Sequence, residues 1–204
     1  MKIFNTRECL INFCLKNVKR AAEIGVRDGD NSRFILANSP SLVKLYGIDI
    51  RYSEKVNIND SRFDYMIVDS VSAASKFPDE YFGFIYIDAG HSYNNVYNDL
   101  LSWYPKLKNG GFLVGDDYAI MYNPTEGEYG VVQAIEDFII DHNKDIYITQ
   151  HGYIEKDKRL SIAKEIGKKA EDNLYIIHDY LFPNDQAGRK RTENLHIPNW
   201  MIIK

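Results

Sequence analysis

Cysteine is scarce in this chain of 204 residues, and that scarcity removes two classes of protein at the outset. Cys9 and Cys14 fall in a segment that reads as helix, where their spacing turns them apart around the axis, so no mutual disulfide is expected. No CxxC or Cys/His spacing occurs, so no zinc site is written here. Reduced thiols, and with them a cytoplasmic location, are the expectation. Long apolar runs are missing too: none reaches the length that crosses a bilayer. Polar or charged residues interrupt every apolar stretch from Met1 to Arg20, so neither a signal peptide, a transit peptide nor a membrane partner is expected. The chain also lacks a basic excess. Its net charge of -4 disfavours nucleic acid as a partner, because neutralising phosphates requires a basic face. The tract Arg189, Lys190, Arg191 reads as a solvated loop. The dinucleotide fingerprint GxGxxG is absent, which argues against an NAD-dependent oxidoreductase. No internal repeat or linker divides the chain, so residues 1–204 read as one domain long enough to bury a full core.

What is present is an alternation of short apolar runs and amphipathic stretches. Leu10, Phe13, Cys14 and Val18 recur at helical spacing. A strand at 21–24 is followed by a polar turn at 25–31 and a second helix. The run 43–48 ends on Asp49, 65–68 on Asp69 and 84–87 on Asp88. Val96, Leu100, Trp103, Tyr104 and Leu107 mark a helix, with Trp103 and Tyr104 on its core face, and Asn109, Gly110 and Gly111 are expected to stop it. The run 112–114 leads to Asp116 and Asp117, after which Val131, Ile135, Phe138 and Ile139 share a helix face. Strands at 146–148 and 200–203 complete the pattern. Such alternation predicts a doubly wound α/β sheet, and runs apolar on both faces suit buried parallel strands. The segment 151–198 breaks the rhythm. It holds a helical pattern through Leu160, Ala163, Ile166 and Ala170, an apolar patch at 174–177, and a polar loop with Pro183 and Gly188. A lid or substrate-binding insertion and an ordinary structural appendage are both open. With Tyr180 and Phe182 nearby, the lid reading places part of it against the ligand cavity.

Ligands of open parallel sheets bind at the carboxyl ends of the strands. Asp88, Asp116 and Asp117 would converge there, and carboxylates do not cluster without a cation or a proton to neutralise them. Upstream, Glu23-Ile-Gly25-Val-Arg-Asp-Gly29 joins a strand to a helix. Gly25 permits a sharp turn and Gly29 close approach of a ligand. Glu23 can meet a cationic amino group, and Asp49 can accept both hydroxyls of a ribose. Together these favour a nucleoside-containing ligand. Plainer roles stay open: Asp116 and Asp117 can cap the turn that follows, and His91 can bond a backbone carbonyl. His142, His151, His178 and His196 are given no role, although His151 or His178 reaches the cleft if the insertion folds over it.

The turn ExGxxxG at 23–29, the acidic end of the second strand, and the pair IDAGHSY and LKNGGFLVGDDY resemble class I S-adenosylmethionine-dependent methyltransferases. Within them, the chain is most similar to the small metal-dependent O-methyltransferases related to catechol and macrocin O-methyltransferases. The resemblance spans 21–140 and fades after Gln150. It implies a Rossmann-like sheet of about seven strands with an antiparallel last strand and an insertion before it. It implies S-adenosylmethionine held by Glu23, Gly25 and Gly29 on the methionine side, Asp49 at the ribose, Asp69 and Ser70 at the adenine, with Asp88 alongside. It further implies magnesium or a similar cation on Asp88, Asp116 and Asp117. Asp117 stands where the catechol enzymes have asparagine, which keeps an oxygen ligand and adds charge. His91 stands where they have a catalytic lysine, so it is the expected base for the acceptor hydroxyl. The implied function is S-adenosylmethionine-dependent O-methylation of a small diol, phenol, sugar or polyketide-type acceptor. A metal-independent methyltransferase and a non-catalytic binding module of the same fold are the alternatives, and homo-oligomerisation is left open.

Overall fold

Apolar side chains point to both faces of the central strands, so the sheet has to be covered on both sides. The structure, a computed structural model, describes residues 6–118, 122–123, 127–149, 152–154 and 198–204. In chain order the elements are α1 (Arg7–Cys14), β1 (Arg20–Ile24), α2 (Asp30–Asn38), β2 (Lys44–Asp49), β3 (Phe63–Ile67), α3 (Ser70–Ala74), β4 (Phe82–Ile87), α4 (Tyr93–Trp103), β5 (Leu107–Gly115), β6 (Tyr122–Asn123), β7 (Gly127–Glu128), α5 (Val131–Asp141), β8 (Ile146–Ile148), β9 (Gly152–Ile154) and β10 (Trp200–Ile203).

The main sheet runs β3-β2-β1-β4-β5-β10-β8-β9, and β6 and β7 form a separate small hairpin. Strands β1 to β5 pair in parallel, whereas β10 lies antiparallel between β5 and β8. This is the doubly wound sheet with an antiparallel last strand that the sequence predicts. An eighth strand comes from β9, which pairs antiparallel with β8 at the edge. Strand order reverses between β1 and β4, the crevice where such sheets take their ligands.

Residue alternation divides the core into two layers. Ala22, Ile24, Ile85, Ile87 and Leu113 pack with Leu100, Trp103, Ile135 and Phe138 of α4 and α5. On the other face Ala21, Phe84, Tyr86 and Val114 pack with Leu10 and Ile11 of α1 and Ile35 and Leu36 of α2. Cys9 is exposed and Cys14 buried, and both are free thiols, as expected. Among the described residues no helix is long and apolar enough to cross a membrane.

One expectation is corrected. Helix α4 ends at Trp103, and Leu107 already belongs to β5, where it pairs with Phe82. Gly110 has φ +74 inside that strand, and its N–H donates to Lys204 O (3.2 Å) while Lys204 N–H donates to Gly111 O (3.1 Å). The glycines therefore bend β5 at its register shift beside Phe84; they do not stop the helix. The segment 151–198, read as an insertion or lid, lies outside the described residues except for β9 and Pro198. His151, His178, His196, Tyr180, Phe182 and Arg189–Arg191 fall with it.

Candidate active site at the carboxyl ends of the strands

Backbone geometry at the end of β1 is set by Gly25. Its φ is +89, and a Cβ there would sit 1.9 Å from Asp88 O, so both conformation and contact require glycine. This seats the first loop on the end of β4, where Asp88 N–H donates to Ile24 O at 2.7 Å. Gly29 precedes α2 with φ +82. The atoms nearest a Cβ at that position are side-chain atoms of Ile58, Arg33 and Val56, so what the structure demands of Gly29 is its left-handed backbone.

Asp49 holds the same loop from below. Its Oδ2 accepts from Val26 N–H (3.0 Å) and Arg27 N–H (2.8 Å), and its Oδ1 from Arg51 N–H (2.9 Å). A carboxylate offers about four lone-pair positions. With these three filled, Asp49 retains room for one hydroxyl donor, not the two expected of a ribose. Asp69 caps α3 by accepting from Ser72 N–H (2.9 Å), and Ser70 Oγ accepts from Trp103 Nε1 (2.8 Å). Both residues expected at an adenine thus also have structural partners.

Glu23 is buried at 1 % exposure, opposite Tyr86 in the β1–β4 ladder, and Ser32 Oγ donates to its carboxylate. Burial pushes its pKa from the ordinary 4.5 up to about 7, against the pull of Ser32. Across that window the unfolded chain has released a proton that the folded one still holds, so stability falls as pH rises. Glu23→Gln removes this loss. Thermal denaturation without ligand should therefore show a smaller drop between pH 5 and pH 8 in the variant than in the parent chain; an unchanged drop contradicts the assignment.

The metal and base candidates meet in part. One ligand atom each from Asp88, His91 and Asp117 lie within 4.8 Å of one another. His91 Nε2 is 2.8 Å from Asp117 Oδ2 and 3.7 Å from Asp88 Oδ1. Its ring stacks on Tyr129 at 4.4 Å, and its main-chain carbonyl accepts from Gly130 N–H. Asp117 adopts φ 60, a conformation that aspartate and asparagine tolerate better than most residues. Asp116 is outside this group. Its Oδ1 accepts from Asp117 N–H (2.9 Å), bracing the turn, and its Oδ2 accepts from Tyr86 Oη (3.4 Å). Burial, then the charges of Asp88 and Asp117, raise its pKa to about 7. Asp88, Gly90, His91, Asp116, Val131 and Trp200 line a small recess here.

Several residues at this site carry no motif. Trp200 Nε1 donates to Asp116 O, Tyr118 N–H donates to Pro198 O, and Tyr118 Oη donates to the buried Glu136, so the turn after β5 is pinned from three sides. Asn199 Nδ2 donates to Tyr86 Oη at 3.1 Å. Arg7 reaches in from α1, 3.8 Å from Asp116. Tyr86 alone left a sequence signal: a tyrosine in a strand buried on both faces needs a partner for its hydroxyl.

Residues 22–118 match the family model of a methyltransferase domain. No curated protein sequence matches the chain. Among solved structures, the YcgJ protein of Bacillus subtilis is 16% identical, covers 96% of each chain and superposes with TM-score 0.58. A SAM-dependent methyltransferase from Archaeoglobus fulgidus is 14% identical, with 98% of this chain and 96% of that one covered and TM-score 0.56. The MycE methyltransferase of the mycinamycin biosynthetic pathway, solved with Mg and SAH, is 21% identical with TM-score 0.50; the match covers 65% of this chain and 37% of the length of MycE. These likenesses show the fold. The family match runs from β1 through the Asp116–Asp117 turn, a little under half of the chain, and over these residues the chain is similar to a methyltransferase domain.

Proposed function

We propose that the enzyme transfers the methyl group of S-adenosylmethionine to a hydroxyl oxygen of a small acceptor of diol, phenol, sugar or polyketide type, assisted by a divalent cation. The observation that carries this reading is the meeting of Asp88, His91 and Asp117 where β4 and β5 end, with Asp116 beside them. The donor set suits a hard cation: carboxylate oxygens crowd a partly buried place, and their mutual repulsion is what a positive ion relieves. Asp88, Asp116 and Asp117 would hold it. When bound, such an ion lowers the pKa of an acceptor hydroxyl and stabilises negative charge on its oxygen.

The chain's own groups do the rest. Asp88 and Asp117 orient the His91 imidazole, and Tyr129 covers one of its faces, which holds the ring ready to take the acceptor proton. Glu23 faces the ammonium of the methyl donor and Asp49 one ribose hydroxyl. Ile50 and Val71, exposed beside Asp49 and Ser70, offer apolar surface to the adenine. Fixing donor and acceptor in register supplies much of the rate. MycE, solved with Mg and SAH, has a similar fold over the matched part and supports the reading of both ligands. A second reading makes His91 the third ligand of the ion, since its Nε2 is as close to Asp117 as a shared cation requires.

Calorimetry with S-adenosylmethionine and NAD tests the nucleoside assignment. Binding of the former alone is expected, with affinity reduced roughly tenfold to a hundredfold in Asp49→Ala, the worth of one charge-assisted hydrogen bond. Tight binding of NAD without response to S-adenosylmethionine would remove it.

A further inference from the structure

We infer that Arg7 anchors the carboxylate of the methionine end of S-adenosylmethionine, opposite Glu23, which takes the ammonium. This rests on the cofactor reading above and adds the residue that would distinguish an amino-acid end from a bare nucleoside.

Placement comes first. Arg7 opens α1, a helix capped by Thr6, whose Oγ1 accepts from Cys9 N–H, and locked to the sheet by the buried Leu10, Ile11 and Cys14. The helix therefore delivers the guanidinium over the carboxyl ends of β1, β4 and β5 on a fixed support. There Arg7 lies 3.8 Å from Asp116 Oδ2, within hydrogen-bonding reach of Tyr86, and 3.7 Å from its neighbour Glu8. Glu23, Tyr86 and Asp116 each feel it as a positive charge.

Chemistry selects the ligand. A guanidinium carries five N–H donors in a fork that matches a carboxylate. At 3.8 Å the Asp116 contact is an ion pair at long range, and Tyr86 engages only part of the fork, so donors are left over on a side chain that is 38% exposed. Arg7 supplies a cation within electrostatic range of the Glu23 carboxyl, and together the two offer a dipolar seat. A free amino-acid end is dipolar in the same sense, with ammonium and carboxylate on one carbon. An arginine needed only to neutralise Asp116 would have no reason to discriminate between ligands.

The test is calorimetry of the full chain with three nucleosides: S-adenosylmethionine, its decarboxylated form, and 5′-methylthioadenosine, which lacks the amino-acid end. Arg7→Ala is expected to lose roughly tenfold to a hundredfold in affinity for the first and to bind the other two within about twofold of the parent chain. Arg7→Lys should recover only part of the loss, because the fork is gone. Independently of any variant, the parent chain should bind decarboxylated S-adenosylmethionine more weakly than S-adenosylmethionine by a similar factor. Equal losses for all three ligands, or an unchanged affinity for S-adenosylmethionine in Arg7→Ala, would overturn the assignment. If the parent chain binds the two smaller nucleosides but not S-adenosylmethionine, Arg7 is again excluded. If it binds none of them, the cofactor reading itself fails and this inference with it.

Discussion

Alanine at His91 is expected to lower turnover by roughly a hundredfold to ten-thousandfold, the usual contribution of one acid–base group, with affinity for S-adenosylmethionine close to that of the parent chain. The reason is local. The imidazole sits between Asp117 at 2.8 Å and Asp88 at 3.7 Å and stacks on Tyr129, whereas its link to the scaffold runs through the main-chain carbonyl that Gly130 N–H engages. Truncating the side chain therefore removes the base and leaves the loop anchored. The same variant separates the two readings of this histidine. As a base, it can be lost with metal affinity intact; as a ligand, metal affinity falls together with turnover. A loss of turnover below roughly tenfold would give His91 a structural role only.

Asparagine at Asp88 should have a comparable effect on activity by a different route. Losing a group that merely orients a metal ligand costs about 10–100-fold in affinity, so removing a direct carboxylate ligand should cost at least the upper part of that range. Folding should respond in the opposite sense. In the metal-free chain the charge on Asp88 opposes ionisation of Asp116 and of Glu23, so its removal relieves repulsion. Asp88→Asn is thus expected to melt no lower than the parent chain at pH 8 while binding magnesium poorly. A variant that melts well below the parent and binds magnesium normally would make Asp88 a scaffold residue.

Strand–helix alternation carries most of the fold because the central strands β1 and β4 are short and almost wholly buried, so their apolar runs stop where the strands stop. The end of α4 is hidden in the sequence for a physical reason: Asn109, Gly110 and Gly111 look like a helix stop, and only the pairing of Leu107 with Phe82 shows that the strand has already begun. At the site, the residues legible in sequence are those within short motifs, Glu23 to Gly29 and Asp88 to His91. Those that were not legible act across long separations. Arg7 meets Asp116, and Asn199 meets Tyr86, through a helix and a loop whose proximity only the sheet order creates. Asp49 was legible by its position at a strand end, but its three loop N–H partners were not.

The central claim is metal-assisted transfer of a methyl group to oxygen. It is tested most directly by following label from methyl-labelled S-adenosylmethionine into a panel of diols, phenols, sugars and polyketides, first after chelation and then with magnesium restored. The account predicts transfer to at least one hydroxylated acceptor that chelation abolishes and magnesium recovers, with Asp88→Asn inactive in both conditions. Undiminished transfer in the presence of chelator would contradict the metal's part, and transfer confined to nitrogen or carbon acceptors would contradict the chemistry proposed for His91.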